Sequence, residues 1–530
     1  MSGPSAANPT MGGPPQFAAA ERLQPRRIFA FLIMVFGMFM SILDIQIVSA
    51  SLSEIQAGLS ASSSEISWVQ TSYLIAEVIA IPLSGFMSRA LGTRYLFALS
   101  AAGFTAASLM CGLTSSIEQM IMWRAIQGFL GAGMIPTVFA SAYTVFPRNK
   151  MHIVAPIIGL VATLAPTVGP TVGGYLTDAM SWHWLFFINV VPGIGITIGV
   201  LALVDFDRPN LALLDHFDWV GLISMAGFLG ALEYVLEEGP QYDWMDDTSV
   251  AVCAVICGVS AIVFFYRVLT AKEPIVDIRA FTNRNFAFGS MFSFCVGIGL
   301  YGLTYIYPRY LAEIRGYSAM MIGETMFVSG IMMFLSAPIV GRLMLKVDMR
   351  LMIALGLVLF AAGTWQMTWV TRDYDFWELF VPQVLRGCGM MLAMVPVNNI
   401  ALGTLPPAMM KNASGLFNLT RNLGGAVGLA IINTILNDRT DHHISRLHDT
   451  VNWGNATAVE TLNMLTQKFQ GMGDASMMAM KELSMIVHRQ ASVMSYADTF
   501  FILTVFYLAL STLVFFVDRP SMAGGPSEAH

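Results

Sequence analysis

The feature that most constrains this chain is a repeated run length. About fourteen stretches of roughly twenty mostly apolar residues recur along it, the length an α-helix needs to cross the hydrocarbon of a bilayer. They fall near 28–51, 66–87, 96–114, 119–141, 153–176, 184–204, 218–236, 249–269, 286–309, 319–341, 351–370, 377–402, 412–437 and 498–517. A helix satisfies its own backbone hydrogen bonds in lipid, so the pattern predicts an all-α polytopic membrane protein. Composition agrees: 55% of the 530 residues are hydrophobic and only 12% are charged. A net charge of -6 argues against a nucleic-acid partner. Cys111, Cys253, Cys257, Cys295 and Cys388 all fall in apolar runs and read as small buried hydrophobes. Cys253 and Cys257 share a helix face without a His or carboxylate beside them, so no metal site is expected.

An even number of crossings puts both termini on one side. The segments on that side carry Arg22, Arg26, Arg27, Arg89, Arg94, Arg148, Lys150, Arg208, Arg267, Lys272, Arg279, Arg284, Arg342, Lys346, Arg350, Lys411 and Arg519. The opposite short loops carry only Arg309, Arg315 and Arg372, and collect Glu237, Glu238, Asp243, Asp246 and Asp247 instead. This asymmetry predicts cytoplasmic termini. Residues 1–27, rich in Pro, Gly, Ser and Ala, read as a disordered tail, and 518–530 as a second tail.

An internal repeat gives the plan. GFMSRALGTR (Gly85 to Arg94) follows the second run and GRLMLKVDMR (Gly341 to Arg350) the tenth, and QGFLGAGMIP from Gln127 is echoed by RGCGMMLAMVP from Arg386. The expected division is a six-helix bundle over 28–204, a two-helix insert with its loops over 205–285, and a second six-helix bundle over 286–517. The last includes an external loop, 438–497. Parallel halves of this kind place a substrate path between them near the bilayer midplane. In the fifth run, Gly159, Thr163, Pro166, Pro170 and Gly174 recur at helical spacing and form a small-residue stripe. That stripe is expected to press on the opposite half, against span eight, ten or eleven, and to seal the path in one state.

The chain resembles the fourteen-span drug:proton antiporter branch of the major facilitator superfamily, most of all the EmrB-type exporters, from about Asp44 to Pro520. The resemblance is carried by Gly85, Arg89, Gly92 and Arg94 in the turn after span two, by Arg124, Gln127 and Gly128 in span four, and by Pro166, Gly169, Pro170, Gly173 and Gly174 in span five. WHWLFFINVVPG (Trp182 to Gly193), EPIVDIRAFTNRNF (Glu273 to Phe286) and NLTRNLGGAVG (Asn418 to Gly428) add to it. It implies a major facilitator fold in a bacterial inner membrane. It implies proton-driven export of amphipathic drugs or toxic small molecules, with no cofactor beyond the proton gradient, beside a periplasmic adaptor protein and an outer-membrane channel. Two departures stand out: Ser88 occupies the position of an acid that latches the inner turn in the family, and Gln46-Ile47-Val48-Ser49 replaces the usual residues after Asp44.

A carboxylate inside a span is expensive and must face a partner or a cavity. Asp44 shares a small polar face with Gly37, Ser41, Val48 and Ser51, and Glu77 shares one with Gln70, Tyr73 and Ser84. Asp44 and Arg124 fall at similar depth, which suggests either a pair that exchanges partners as Asp44 takes up a proton, or a fixed structural ion pair. Glu77 is read as a second proton site, a selector of cationic substrates, or part of a hydrogen-bond network. In span thirteen, Ser414, Asn418, Arg421, Asn422 and Gly425 form a third polar face. There Arg421 is either a substrate contact or an arginine bonded to carbonyls, and Arg386 is similar. Glu233 belongs to the insert and is a weaker candidate. Gln70, Tyr73, Gln127, Asn418 and Arg421 are the expected cavity residues.

Trp182, Trp184, Trp244 and Trp377 sit where an interfacial belt belongs. In the 438–497 loop, Ala458, Leu462, Leu465 and Phe469 make one apolar stripe and Met477, Met480, Leu483, Ile486 and Val487 another, predicting two amphipathic helices over the outer mouth. That surface would dock an adaptor or serve as a lid. No P-loop, zinc motif or nucleophile elbow occurs, so neither ATP-driven transport nor an enzyme is expected. The alternatives are an exporter of a physiological amphiphile such as a fatty acid, phenolic or siderophore, and a transporter-like membrane sensor.

Overall fold

The computed structural model describes residues 25–517 apart from His216, Lys272, Glu273 and Met472. Residues 1–24 and 518–530, and with them most of the two expected tails, lie outside the described residues. Among the described residues the first helix runs from Pro25, and it includes Arg26 and Arg27. Proline suits the first helical turn, where its missing N–H is not needed.

Every described α or β element is helical. The first half runs through α1 (Pro25–Ala50), α2 (Leu52–Leu59), α3 (Ser63–Gly112), α4 (Ile117–Gly131), α5 (Met134–Val145), α6 (Met151–Ala179), α7 (Trp184–Phe187) and α8 (Val190–Leu203). The insert is α9 (Trp219–Glu238) and α10 (Thr248–Thr270). The second half comprises α11 (Arg284–Tyr310), α12 (Ala319–Leu343), α13 (Met349–Gln366), α14 (Phe376–Leu402), α15 (Met410–Thr450), α16 (Ala456–Lys468) and α17 (Ala475–Leu513).

Among the described residues, thirteen helical stretches are long and apolar enough to cross a membrane. One of them, Glu65–Gly112, has 48 residues, room for two crossings of about 20 residues each. Its backbone leaves helical angles at Gly92, with φ 79° and ψ 157°. Spans two and three are therefore two helices that meet at a glycine, because only a residue without Cβ adopts that φ cheaply. Span four is α4 and α5, and span six is α7 and α8. Local chemistry fixes the starts. Ser62 with Glu65, and Asp375 with Glu378, form capping boxes, while Ser116, Asn283 and Ser318 accept first-turn N–H groups.

The two halves meet along α6 against α12 and α3 against α15. The insert leans in through α9, which touches both α3 and α15, whereas α10 packs on α9 and exposes Val255, Val259, Ile262, Tyr266 and Leu269. Apolar exposure of this kind is a lipid face.

Two expectations need correcting. The segment after span thirteen does not hold two separate amphipathic helices. α15 continues to Thr450 and α17 begins at Ala475, so the span helices themselves project and only α16 is free-standing, lying along α17. Its stripe of Ala458, Leu462 and Leu465 is the half-buried face. Trp182 is no belt residue either: it is 8% exposed and packs so tightly on α2 that a Cβ at Gly58 would lie 2.1 Å from its Nε1.

Candidate functional site

Asp44 and Arg124 are both fully buried and form an ion pair of 2.7 Å. The rest of each group is nearly saturated. Gln127 Nε2 and Asn189 Nδ2 donate to Asp44 Oδ1 at 3.2 and 2.6 Å, and Arg124 donates from Nε to the Val69 carbonyl and from one terminal nitrogen to Gln127 Oε1. The guanidinium lies over the Tyr73 ring, 4.2 Å from its centre. The other terminal nitrogen of Arg124 has no partner. Asn189 is placed by the break between α7 and α8: it occupies the N-cap of α8 without capping it, so its amide is free to reach Asp44 and Ser108. The small face of α1 expected around Asp44 exists, but it looks into the first half. Gly37 abuts Phe97 and Ile196.

The neighbouring face of α1 lines a separate cavity of about 310 Å³ between the halves. Its wall includes Gln46, Ser49, Gln70, Glu77, Pro170, Tyr301, Tyr305, Arg309 and Asn422, together with Glu233 and Glu237 of the insert. Of the expected cavity residues only Gln70 is there. Tyr73 and Gln127 belong to the Asp44 network. Asn418 donates to the Ser414 carbonyl, and Arg421 bonds Asn398 at 2.8 Å between the Phe139 and Phe417 rings; the neighbouring Asn422 takes the place in the wall. Arg421 lies one residue out of register with the cavity, held by aromatic faces and an amide, and its Nε has no hydrogen-bond partner. Arg386 likewise bonds Thr304 and Gln383 and lies over Tyr307. Glu77 is 2% exposed and its Oε1 has no partner. Glu237, expected in a loop, is on α9 because that helix runs to Glu238, and Arg309, also expected in a loop, ends span nine at the cavity rim.

The motif positions pack as follows. A Cβ on Gly128 would come within 2.4 Å of the Tyr73 carbonyl, which lets span four close on span two. In span five the stripe does reach the opposite half, at α14, where the Thr163 hydroxyl lies 3.7 Å from Met391 Sδ, while the motif glycines beside the stripe turn the other way. Gly169 and Gly173 receive α1, where a Cβ would meet Gln46 Cβ at 2.3 Å and the Ile47 carbonyl at 2.9 Å, and Gly159 faces Val395 of α14. Span ten does pack on span five, as one expectation had it, but through its own Gly323, Gly330 and Gly341. Pro166 and Pro170 sit buried inside an unbroken α6 with Gly174. At the turn after span two, Arg89 lies over Phe86 and Arg94 over Tyr95, each with an unpartnered Nε. The acid missing at Ser88 is supplied from elsewhere: Asp207, after span six, accepts from Thr93 N and Oγ1 and pairs with Lys411, whose Nζ also donates to the Ser88 carbonyl at 2.8 Å.

Sequence reasoning missed Asn189, Glu237 and Asp207 as site residues. Asn189 had a visible signal, an amide inside the apolar WHWLFFINVVPG. Glu233 and Glu237 are spaced i,i+4 at the end of an apolar run, which puts both on one face.

Residues 34–429 match the family described as Major Facilitator Superfamily. The colistin resistance protein EmrB of Acinetobacter baumannii is 42% identical over 492 residues, covering 92% of this chain and 96% of the relative. The multidrug export protein EmrB of Escherichia coli (strain K12) is 30% identical over 491 residues, covering 92% and 94%. Among solved structures, the human organic anion transporter MFSD10 aligns with a TM-score of 0.56 at 12% identity, covering 92% of this chain and 100% of that one, a likeness of fold alone. With a family match across most of its length and a relative 42% identical over nearly the whole of both chains, the chain belongs to the major facilitator superfamily, among its EmrB-like members.

Proposed function

We propose that the protein exports amphipathic small molecules across a bacterial inner membrane in exchange for protons, with Asp44 as the proton carrier. The observation that supports this most is position. The buried Asp44–Arg124 pair lies directly behind the helix whose next residues, Ile45 and Gln46, form the cavity wall. Protonating Asp44 removes the charge that holds Arg124, and α1 is then free to move relative to α4 and α8. Arg124 and Tyr73 would take up the freed interactions, so a proton and a substrate compete through one helix rather than at one atom.

The same reading places the basic loops and both termini in the cytoplasm and divides the chain at 28–204, 205–285 and 286–517. It gives the projecting ends of α15 and α17, with α16, the task of meeting a periplasmic adaptor that leads to an outer-membrane channel. The relatives named for multidrug export and colistin resistance support a toxic-compound cargo.

Accumulation of a fluorescent amphiphile in proteoliposomes under an imposed pH gradient tests the coupling. Asp44→Asn should bind the dye but lose gradient-driven movement. Full coupled transport in that variant rules out the carrier role.

A further inference from the structure

We propose that Glu233 and Glu237 of the insert, together with Glu77 of span two, form a subsite in the central cavity that binds the positive charge of a lipophilic cation. This deepens the transport reading and rests on it for the direction of movement, but not for binding. The insert is thereby more than a spacer between the halves: it contributes part of the specificity wall.

Three observations lead there. Glu233 and Glu237 are one helical turn apart on α9 and both line the cavity, so the insert presents two carboxylates to one space. Glu77 reaches the same cavity from α3, is 2% exposed, and leaves Oε1 without a hydrogen bond. A buried carboxylate without a partner is expensive, and a cation carried by the cargo relieves that cost. Finally, the one basic side chain in the wall is committed elsewhere: Arg309 pairs with Glu313 at 2.6 Å and bonds Tyr305 and Asn433. No ion pair among the described residues neutralises Glu77, Glu233 or Glu237.

The rest of the wall suits a cation with an apolar body. Tyr301 and Tyr305 supply aromatic faces, which attract cations and pack on hydrocarbon alike. An anion of the same shape would meet three acidic side chains and one arginine, Arg309, whose charge is already shared with Glu313. Discrimination therefore rests on repulsion as much as attraction.

Tetraphenylphosphonium and tetraphenylborate are near-isosteric ions of opposite charge and make the test. Binding is measured on the purified full chain in detergent without any gradient, so a failure of proton coupling leaves the result untouched. The wild type should bind tetraphenylphosphonium more tightly than tetraphenylborate. Glu77→Gln and the double change Glu233→Gln with Glu237→Gln should each weaken the cation by about tenfold, the equivalent of ~1.4 kcal/mol. Glu233→Asp, which keeps the charge, should retain most of the affinity. Equal or stronger wild-type binding of the borate overturns the proposal whether or not the variants fold. So does a cation affinity within twofold of wild type in glutamine variants that remain monodisperse.

Discussion

At the scale of single residues, the centre of the first half is an ion pair that desolvation makes costly and neighbouring amides make tolerable. Asp44 receives three donors, from Arg124, Gln127 and Asn189. Removing one should show what each supplies. Asn189→Ala deletes the shortest of the two amide bonds, 2.6 Å, and a hydrogen bond to a charged group is worth about 1.5–3 kcal/mol. A lower midpoint of thermal unfolding in detergent is the expected outcome, with transport reduced, and an unchanged midpoint would show that the contact carries no weight. Arg124→Lys should fare worse than its conserved charge suggests. Lysine has one nitrogen to offer where Arg124 spans Val69, Gln127 and Asp44 from a planar fork stacked on Tyr73. Gradient-driven transport in Arg124→Lys should therefore fall well below wild type, and near-normal rates would mean that charge alone matters. Asp44 and Arg124 were legible in the sequence because a charge in an apolar run demands a partner. Asn189 left a weaker trace, an amide in an apolar run: a neutral amide demands no partner of opposite charge, and only the helix break at its position sends it to Asp44.

At the scale of elements, the apolar runs fall on the thirteen long apolar helical stretches of the described residues, because the membrane imposes a run length that sequence displays directly, and the turn read between runs two and three holds the break at Gly92. Hydropathy did not reveal which neighbour each small face meets. The stripe of span five shows why. Periodicity puts Gly169 and Gly173 on one face of α6, but whether that face meets α1 or the opposite half depends on the rotation of the whole helix. The structure gives α1 Gly169 and Gly173 of α6, turns Gly159 to α14, and gives α6 the glycines of α12. The cavity face was misjudged for the same reason: one register step separates Arg421, held by aromatic rings, from Asn422 in the wall. The packing makes a sharp comparison possible. A methyl at Gly169 would fall 2.3 Å from Gln46 Cβ and 3.3 Å from its backbone, whereas one at Gly195 of α8 meets nothing within 4 Å. Gly169→Ala should lower stability by roughly 1–3 kcal/mol through overpacking. It should also slow transport by displacing the cavity wall at Gln46, while Gly195→Ala should behave as wild type. Side-by-side thermal unfolding and transport assays check this, and equal behaviour of the two variants would remove the steric role of Gly169.

At the scale of the whole molecule, the halves pack closely at the end that carries the basic turns, and the repeat is visible there as symmetry. Gly85, ending span two, sits 3.0 Å by its absent Cβ from the Lys411 carbonyl at the start of α15, and Gly341, ending span ten, sits 2.4 Å from the His152 carbonyl at the start of α6. Each half thus receives the first turn of a helix from the other. On one side the contact is reinforced by charge, with Lys411 joining Asp207 and the Ser88 carbonyl. A partly exposed ion pair is worth at most about 1 kcal/mol, yet a bias of that size shifts a two-state ratio about fivefold. Breaking it should therefore repopulate conformations without unfolding the protein. Spin labels at Tyr95→Cys and Ala408→Cys, both exposed positions on opposite halves at this end, report the opening in a background free of native cysteines. Asp207→Asn should add a longer component to the interlabel distance distribution. Ser88→Asp in that same background should restore the short one, because Lys411 Nζ already lies 2.8 Å from the Ser88 carbonyl and an acid there is within its reach. A distribution that ignores Asp207→Asn would mean the pair does not latch this end. One that shifts with Asp207→Asn but fails to return with Ser88→Asp would tie the latch to the Asp207 and Thr93 hydrogen bonds rather than to an acid facing Lys411.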